Sequence, residues 1–207
     1  MTKIRGFEPV DIKFRKNPEA PILPLRGSKT SAGYDLYAVV DLDIKPQESV
    51  FFWTDIKAYM QHNEVLECYV RSSVGINLDV TMTNTVGIID SDYYNNPKNN
   101  GNIGIHLKNN KPQFKLEGSF KQKVITNVNF LTGVKEEDII DIPIIKDLTK
   151  ENTIHIKKGE RVAQCIFKTY LESDNCNSEN ERTGGIGSTN ETLDTPQNVQ
   201  AISETEN

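Results

Sequence analysis

Long apolar runs are missing from this 207-residue sequence. None approaches the ~20 residues that a membrane-spanning helix needs, so no membrane contact is expected. The opening MTKIRGFEPVD lacks the apolar core of a secretory signal. Cysteine is scarce: Cys68, Cys165 and Cys176 are odd in number and show no paired spacing. That excludes a disulfide framework and suits a reducing, cytoplasmic compartment. With three histidines and no Cys-x-x-Cys, a dedicated zinc site is not expected. Positive charge is also short, since 24 Lys and Arg stand against 29 Asp and Glu for a net charge of -5. Stable nucleic-acid binding is therefore disfavoured, although a local basic pocket for one phosphate chain stays open. Helical periodicity of useful length is nearly absent.

What remains is a series of short apolar or alternating runs broken by loops, the pattern of an all-β sandwich or barrel. Strands are expected at Val10–Phe14, after the break at Gly33 over Tyr34–Val40, and through QESVFFWTDIKAYM as one element. EVLECYVRSSVGI reads as a strand running into a loop, and LDVTMTN with VGIID as a β-hairpin. GNIGIHLKNN and NTIHIKKGERVAQCIFKTYL complete the set. Residues 111–153 have another texture: charges mixed with two β-branched runs, read as an inserted hairpin or two. After Ser173 the composition turns polar. The expected division is a β domain over 1–172, carrying the insert 111–153, and a flexible arm over 173–207.

Four stretches carry chemistry. In NTVGIIDSDYY, apolar residues lead into a lone carboxylate, Asp90, with Tyr93 close behind. A carboxylate held at a pocket wall is a candidate general base; the same residues also read as a strand entering a turn. RSSVG offers a guanidinium, two hydroxyls and a glycine, donors suited to phosphate oxygens. RTGGIGST sets Arg182, Ser188 and Thr189 among Gly184, Gly185 and Gly187, which let backbone approach a polyphosphate. It lacks the Gly-Lys-Ser/Thr ending of a Walker loop, and such runs also serve as linkers. KGERVAQ supplies Arg161 and Gln164, or a turn with an edge salt-bridge partner.

Taken jointly and in order, AGYDLYA (32–38), RSSVG (71–75), NTVGIIDSDYY (84–94), KGERVAQ (158–164) and RTGGIGST (182–189) give the chain a close resemblance to the trimeric all-β dUTPase family. The resemblance spans about 10–189, apart from 111–153. It implies a jelly-roll-like fold, a homotrimer with active sites between subunits, and hydrolysis of dUTP to dUMP and pyrophosphate. Asp90 would activate a water for in-line attack on the α-phosphorus. Tyr93 would lie against the deoxyribose and exclude a 2′-hydroxyl. Uracil would be read by hairpin backbone around Gly87 and Ile89, helped by Asn84. Arg71, Ser72 and Gln164 match donors to the phosphate chain, and Ser73 and Gly75 fall at further substrate-binding positions. Arg182, Gly185, Ile186, Gly187, Ser188 and Thr189 match an arm that closes over the γ-phosphate. Mg²⁺ would bridge the phosphates, with Asp35 holding its waters.

Four departures accompany the match. Ser73 stands where Gly is commoner, Ile186 replaces a base-stacking Phe, the spacing after Arg182 differs by one residue, and the insert is long. A dCTP deaminase would place Arg and Glu where Ile76 and His106 stand here. A regulatory role is a further alternative, with residues 111–153 as a protein-contact surface like the inserts of some phage-borne dUTPases, or else as an added hairpin only.

Overall fold

The computed structural model describes residues 3–129, 131–133, 135–174 and 184. Its strands are β1 (Gly6–Pro9), β2 (Leu25–Arg26), β3 (Tyr34–Tyr37), β4 (Leu42–Ile44), β5 (Ser49–Trp53), β6 (Ile56–Tyr59) and β7 (Glu64–Val70). A short helix, α1 (Ser72–Leu78), follows; then come β8 (Val80–Met82), β9 (Gly87–Asp90) and β10 (Gly104–Asn109). The chain continues through β11 (Phe114–Val128), β12 (Lys135–Asp147), a one-turn α2 (Thr149–Asn152), β13 (Ile154–Ile156) and β14 (Arg161–Thr169). The all-β class expected from the sequence is therefore present. Among the described residues, no helix is long and apolar enough to cross a membrane.

The largest sheet runs β2-β3-β14-β7-β9, and a second runs β5-β10-β8. Period-two alternation builds the core between them: Leu36, Leu66, Ile105, Leu107 and Val162 are fully buried. Each such side chain contributes about 1.5–3 kcal/mol relative to exposure. β14 lies in the middle of the large sheet, pairing with β3 on one side and β7 on the other.

Four local expectations are corrected. Val10–Phe14 is not a strand: β1 ends at Pro9, and Ile12–Phe14 forms a 3₁₀ turn. The Val10 and Asp11 amides donate instead to the Asp55 carbonyl and the Asn100 side chain. QESVFFWTDIKAYM is two strands, because Asp55 takes a positive φ of 58° between them. The buried Asp55 carboxylate accepts from the Lys16 and Asn17 amides and from Asn102, so it clasps the N-terminal loop. RSSVG is the start of α1 rather than a loop. Finally, β8 and β9 do not pair with each other. β8 joins β10 and β9 joins β7, so the tight turn at Asn84–Val86 carries the chain from one sheet to the other.

The insert forms one long hairpin, β11 with β12, and its roots close through Leu148 N–H donating to Gln113 O at 2.7 Å. Most of its side chains are exposed.

Candidate active site

The middle of the large sheet gathers three of the sequence motifs. Asp35 on β3 is opposite Gln164 on β14, and Gln164 is opposite Tyr69 on β7. Two residues beyond Tyr69, β7 gives way to α1, with Arg71 at its cap. Asp35, Arg71, Ser72, Ser73 and Gln164 thus share one cleft of about 320 Å³, which Gly27, Ser31 and Gly33 complete. Gly33 lies close against Gln164: a Cβ at this position would be 2.7 Å from Gln164 Oε1, so the end of that side chain would have to shift.

Asp35 is only 6% exposed yet keeps two cationic partners. Arg71 Nε donates to its Oδ1 at 3.2 Å and Arg161 Nη1 to its Oδ2 at 3.3 Å. A register irregularity between Arg161 and Ala163 re-aims the Arg161 side chain towards that carboxylate. One carboxylate against two guanidiniums leaves the cleft net positive, and Ser72 adds an exposed hydroxyl. Such a site suits a polyanion. Arg71 Nη1 also donates to Ser73 Oγ at 3.0 Å. Ser73, the departure noted in the second motif, therefore steadies the arginine fork. The pairing of Arg161 with Asp35 was not foreseen; the KGERVAQ motif named the residue but gave no sign of its partner. Gly75 packs within α1, where a Cβ would touch Val70 and the Val80 carbonyl, so it shapes the backbone behind the cleft.

A second group lies elsewhere on the same protomer. Gly87 is buried opposite Cys68, and the Asn84 side chain is near it. Ile89 and Asp90 follow, both half-buried, and Asp90 is opposite Val65. Tyr93 is 6% exposed in the 3₁₀ turn after β9. The two groups are far apart. Arg71 is six residues along β7 from Val65, about 20 Å at 3.3 Å per residue. Asp35 is removed from Asp90 by three strand spacings and four rows of the ladder. One chain therefore does not bring Asp90 and Tyr93 together with Arg71, Ser72, Gln164 and Asp35. Arg182, Gly185, Ile186, Gly187, Ser188 and Thr189 lie outside the described residues.

Among the described residues no cluster of three His, Cys, Asp or Glu could cage a metal ion. A single buried carboxylate beside two guanidiniums fits an ion held mainly by its ligand's phosphates and by water, reached through that carboxylate. At the deaminase positions, Ile76 is exposed on α1 and His106 bonds Thr83 and Ser49.

A family model described as dUTPase matches residues 19–121. The deoxyuridine 5′-triphosphate nucleotidohydrolase of Lactococcus lactis is 35% identical over 190 residues, covering 90% of this chain and 98% of that protein. The crystal structure of the dUTPase from Streptococcus mutans is 30% identical with a TM-score of 0.56, over 82% of this chain and 98% of that one. A dUTPase from phage phi11 of S. aureus, whose structure is described as revealing the coordination of a structural Mg(II) ion, is 23% identical. Its TM-score is 0.53 over 86% of this chain and 98% of that one, a likeness of fold alone.

Proposed function

This chain belongs to the dUTPase family, and from that premise we propose how its residues divide the work. It is a dUTP diphosphatase of jelly-roll-like β fold, hydrolysing dUTP to dUMP and pyrophosphate. The observation that carries the division is the separation of the two residue groups across one protomer.

The cleft of Arg71, Ser72 and Gln164 binds the triphosphate. Asp35 fixes both arginine forks, so their donors meet the phosphates without a further cost of ordering. Asp35 would hold magnesium through water, and the ion would supply neutralisation of phosphate charge. The second group handles the nucleoside and the attack. Asp90 orients a water and takes its proton as the water attacks the α-phosphorus. Backbone around Gly87 and Ile89, with Asn84, reads the uracil edge. Donors and acceptors in fixed order leave unpaired groups against cytosine, which supports discrimination of about 10⁴ or more. Tyr93 covers the deoxyribose and leaves no room for a 2′-hydroxyl. The arm residues Arg182, Gly185, Ile186, Gly187, Ser188 and Thr189 close over the γ-phosphate and exclude water.

With ~20 Å between the groups, the phosphate cleft of one subunit must meet the Asp90 group of another. A closed homotrimer with three shared sites satisfies this. The hairpin of β11 and β12 stands outside both groups, and it exposes Phe114, Leu116, Phe120, Ile139, Ile144 and Ile145. That exposure favours a protein contact separable from catalysis.

The test is pyrophosphate release from dUTP, dCTP, dTTP and UTP with and without Mg²⁺. Selective cleavage of dUTP is expected, and Asp90→Asn should keep dUTP binding while abolishing turnover. Near-normal turnover in that variant would remove Asp90 from the base role.

A further inference from the structure

The loop after Tyr93 is dense in asparagine, and none of its side chains has a part in the chemistry above. Asn99 Nδ2 donates to the Tyr93 hydroxyl at 2.7 Å, while that hydroxyl donates to the Asn102 carbonyl at 2.8 Å. Asn99 Oδ1 accepts in turn from Asn96 Nδ2 at 2.7 Å and from the Gly101 amide at 3.1 Å. Asn96 Nδ2 also reaches the Tyr93 carbonyl at 2.8 Å, so the tyrosine is tied at its backbone as well as at its phenol. Gly101 closes the loop at a φ of 80°, where a Cβ would lie 2.8 Å from the Tyr93 carbonyl oxygen. Asn102 is itself anchored: its Nδ2 donates to the buried Asp55 carboxylate at 2.9 Å, and its Oδ1 accepts from the Asp55 amide at 2.9 Å.

We propose that Asn99 is a positioning residue for sugar selectivity, acting through the Tyr93 hydroxyl to hold the ring as a fixed wall against ribonucleotides. The proposal rests on the reading of Tyr93 as the cover of the deoxyribose. A steric wall rejects an extra oxygen only while it cannot tilt. With one of these two phenol hydrogen bonds lost, the ring can pivot about the other. The substrate without a 2′-hydroxyl needs no added room, so its turnover changes little. The ribonucleotide gains the space it lacked. Asn99 therefore acts on the ratio of the two rates more than on either alone.

The experiment measures kcat/KM for dUTP and for UTP in the full-length enzyme and in Asn99→Ala, Tyr93→Phe, the double variant and Tyr93→Ala. In Asn99→Ala the preference for dUTP over UTP should fall roughly five- to thirtyfold, the range that the loss of one part-buried hydrogen bond supports. Tyr93→Phe removes both phenol hydrogen bonds, the one from Asn99 and the one to the Asn102 carbonyl, and should relax the ratio at least as far. Adding Asn99→Ala to Tyr93→Phe should then change the ratio no further. An unchanged ratio in folded Asn99→Ala, or an equal second fall in the Phe background, overturns the proposal. If Asn99→Ala does not fold, an unchanged ratio in Tyr93→Phe overturns it alone. A relaxed Tyr93→Ala beside an unrelaxed Asn99→Ala sinks the role of Asn99 and leaves the sugar wall standing. An unrelaxed Tyr93→Ala removes both.

Discussion

Two inactive variants of this enzyme should restore activity when their subunits are mixed. Asp90→Asn removes the proposed base but leaves the phosphate cleft intact. Arg71→Ala weakens the cleft, where the guanidinium bonds Asp35 and Ser73, but leaves Asp90 untouched. The two positions are divided by six residues of β7, about 20 Å of extended chain. No triphosphate bridges that distance while its α-phosphorus is also at the attacking water. Each working site must then draw Asp90 from one subunit and Arg71 from its neighbour. With equal amounts and random assembly, the first is intact in half the cases and the second in half. Roughly one quarter of sites, and so about 25% of wild-type activity, should return in any closed ring. The variants are unfolded separately, mixed, refolded together and assayed for pyrophosphate release from dUTP, with each refolded alone as the baseline. A mixture no more active than the mean of the two baselines would refute the shared site.

Asp35→Asn should lower kcat/KM for dUTP by roughly ten- to a hundredfold, because both arginine forks lose the anion that orients them; steady-state kinetics across a magnesium titration checks this. The Arg5 guanidinium, with help from the Gln61 amide, holds the Glu64 carboxyl below its ordinary 4.5. A lowered folded value stabilises the fold fully above 4.5, and that contribution is lost as pH falls through the folded value. Melting temperature followed between about pH 5 and pH 2 should therefore fall less steeply in Glu64→Gln; an identical slope would count against it. Removing residues 114–147 and joining Gln113 to Leu148, already hydrogen-bonded neighbours, should leave dUTP turnover unchanged. Lost turnover in a folded, correctly assembled deletion would tie the hairpin to the site.

The residues of the site were more legible than the shapes that carry them. Asp35, Arg71, Ser72 and Gln164 are named by three short motifs, and the sheet register brings them to one cleft. The partnership of Arg161 with Asp35 depends on a strand irregularity that no local pattern announces. QESVFFWTDIKAYM reads as one strand because its apolar run continues through Asp55. The break comes from a carboxylate that organises Lys16, Asn17 and Asn102 from distant parts of the chain. The β8–β9 segment alternates as a hairpin would, yet its strands serve different sheets; alternation reports exposure, not the identity of the neighbour. The gap between Asp90 and Arg71 is likewise invisible to motif spacing, since it follows from which strands are opposed.

The place of β14 governs when this protein can take shape. Residues 161–169 fill the middle of the large sheet, while both flanking strands precede them by many tens of residues. During synthesis β3 and β7 emerge with no strand between them, and each presents an open edge until the last described strand leaves the ribosome. The large sheet must wait, so completion of its core follows the emergence of residues 161–169, slow by the standard of local contacts. The β11–β12 hairpin, whose ladder is local, can zip during that wait. A ribosome stalled before residue 161 would release not a smaller working enzyme but a chain with sticky edges and no centre.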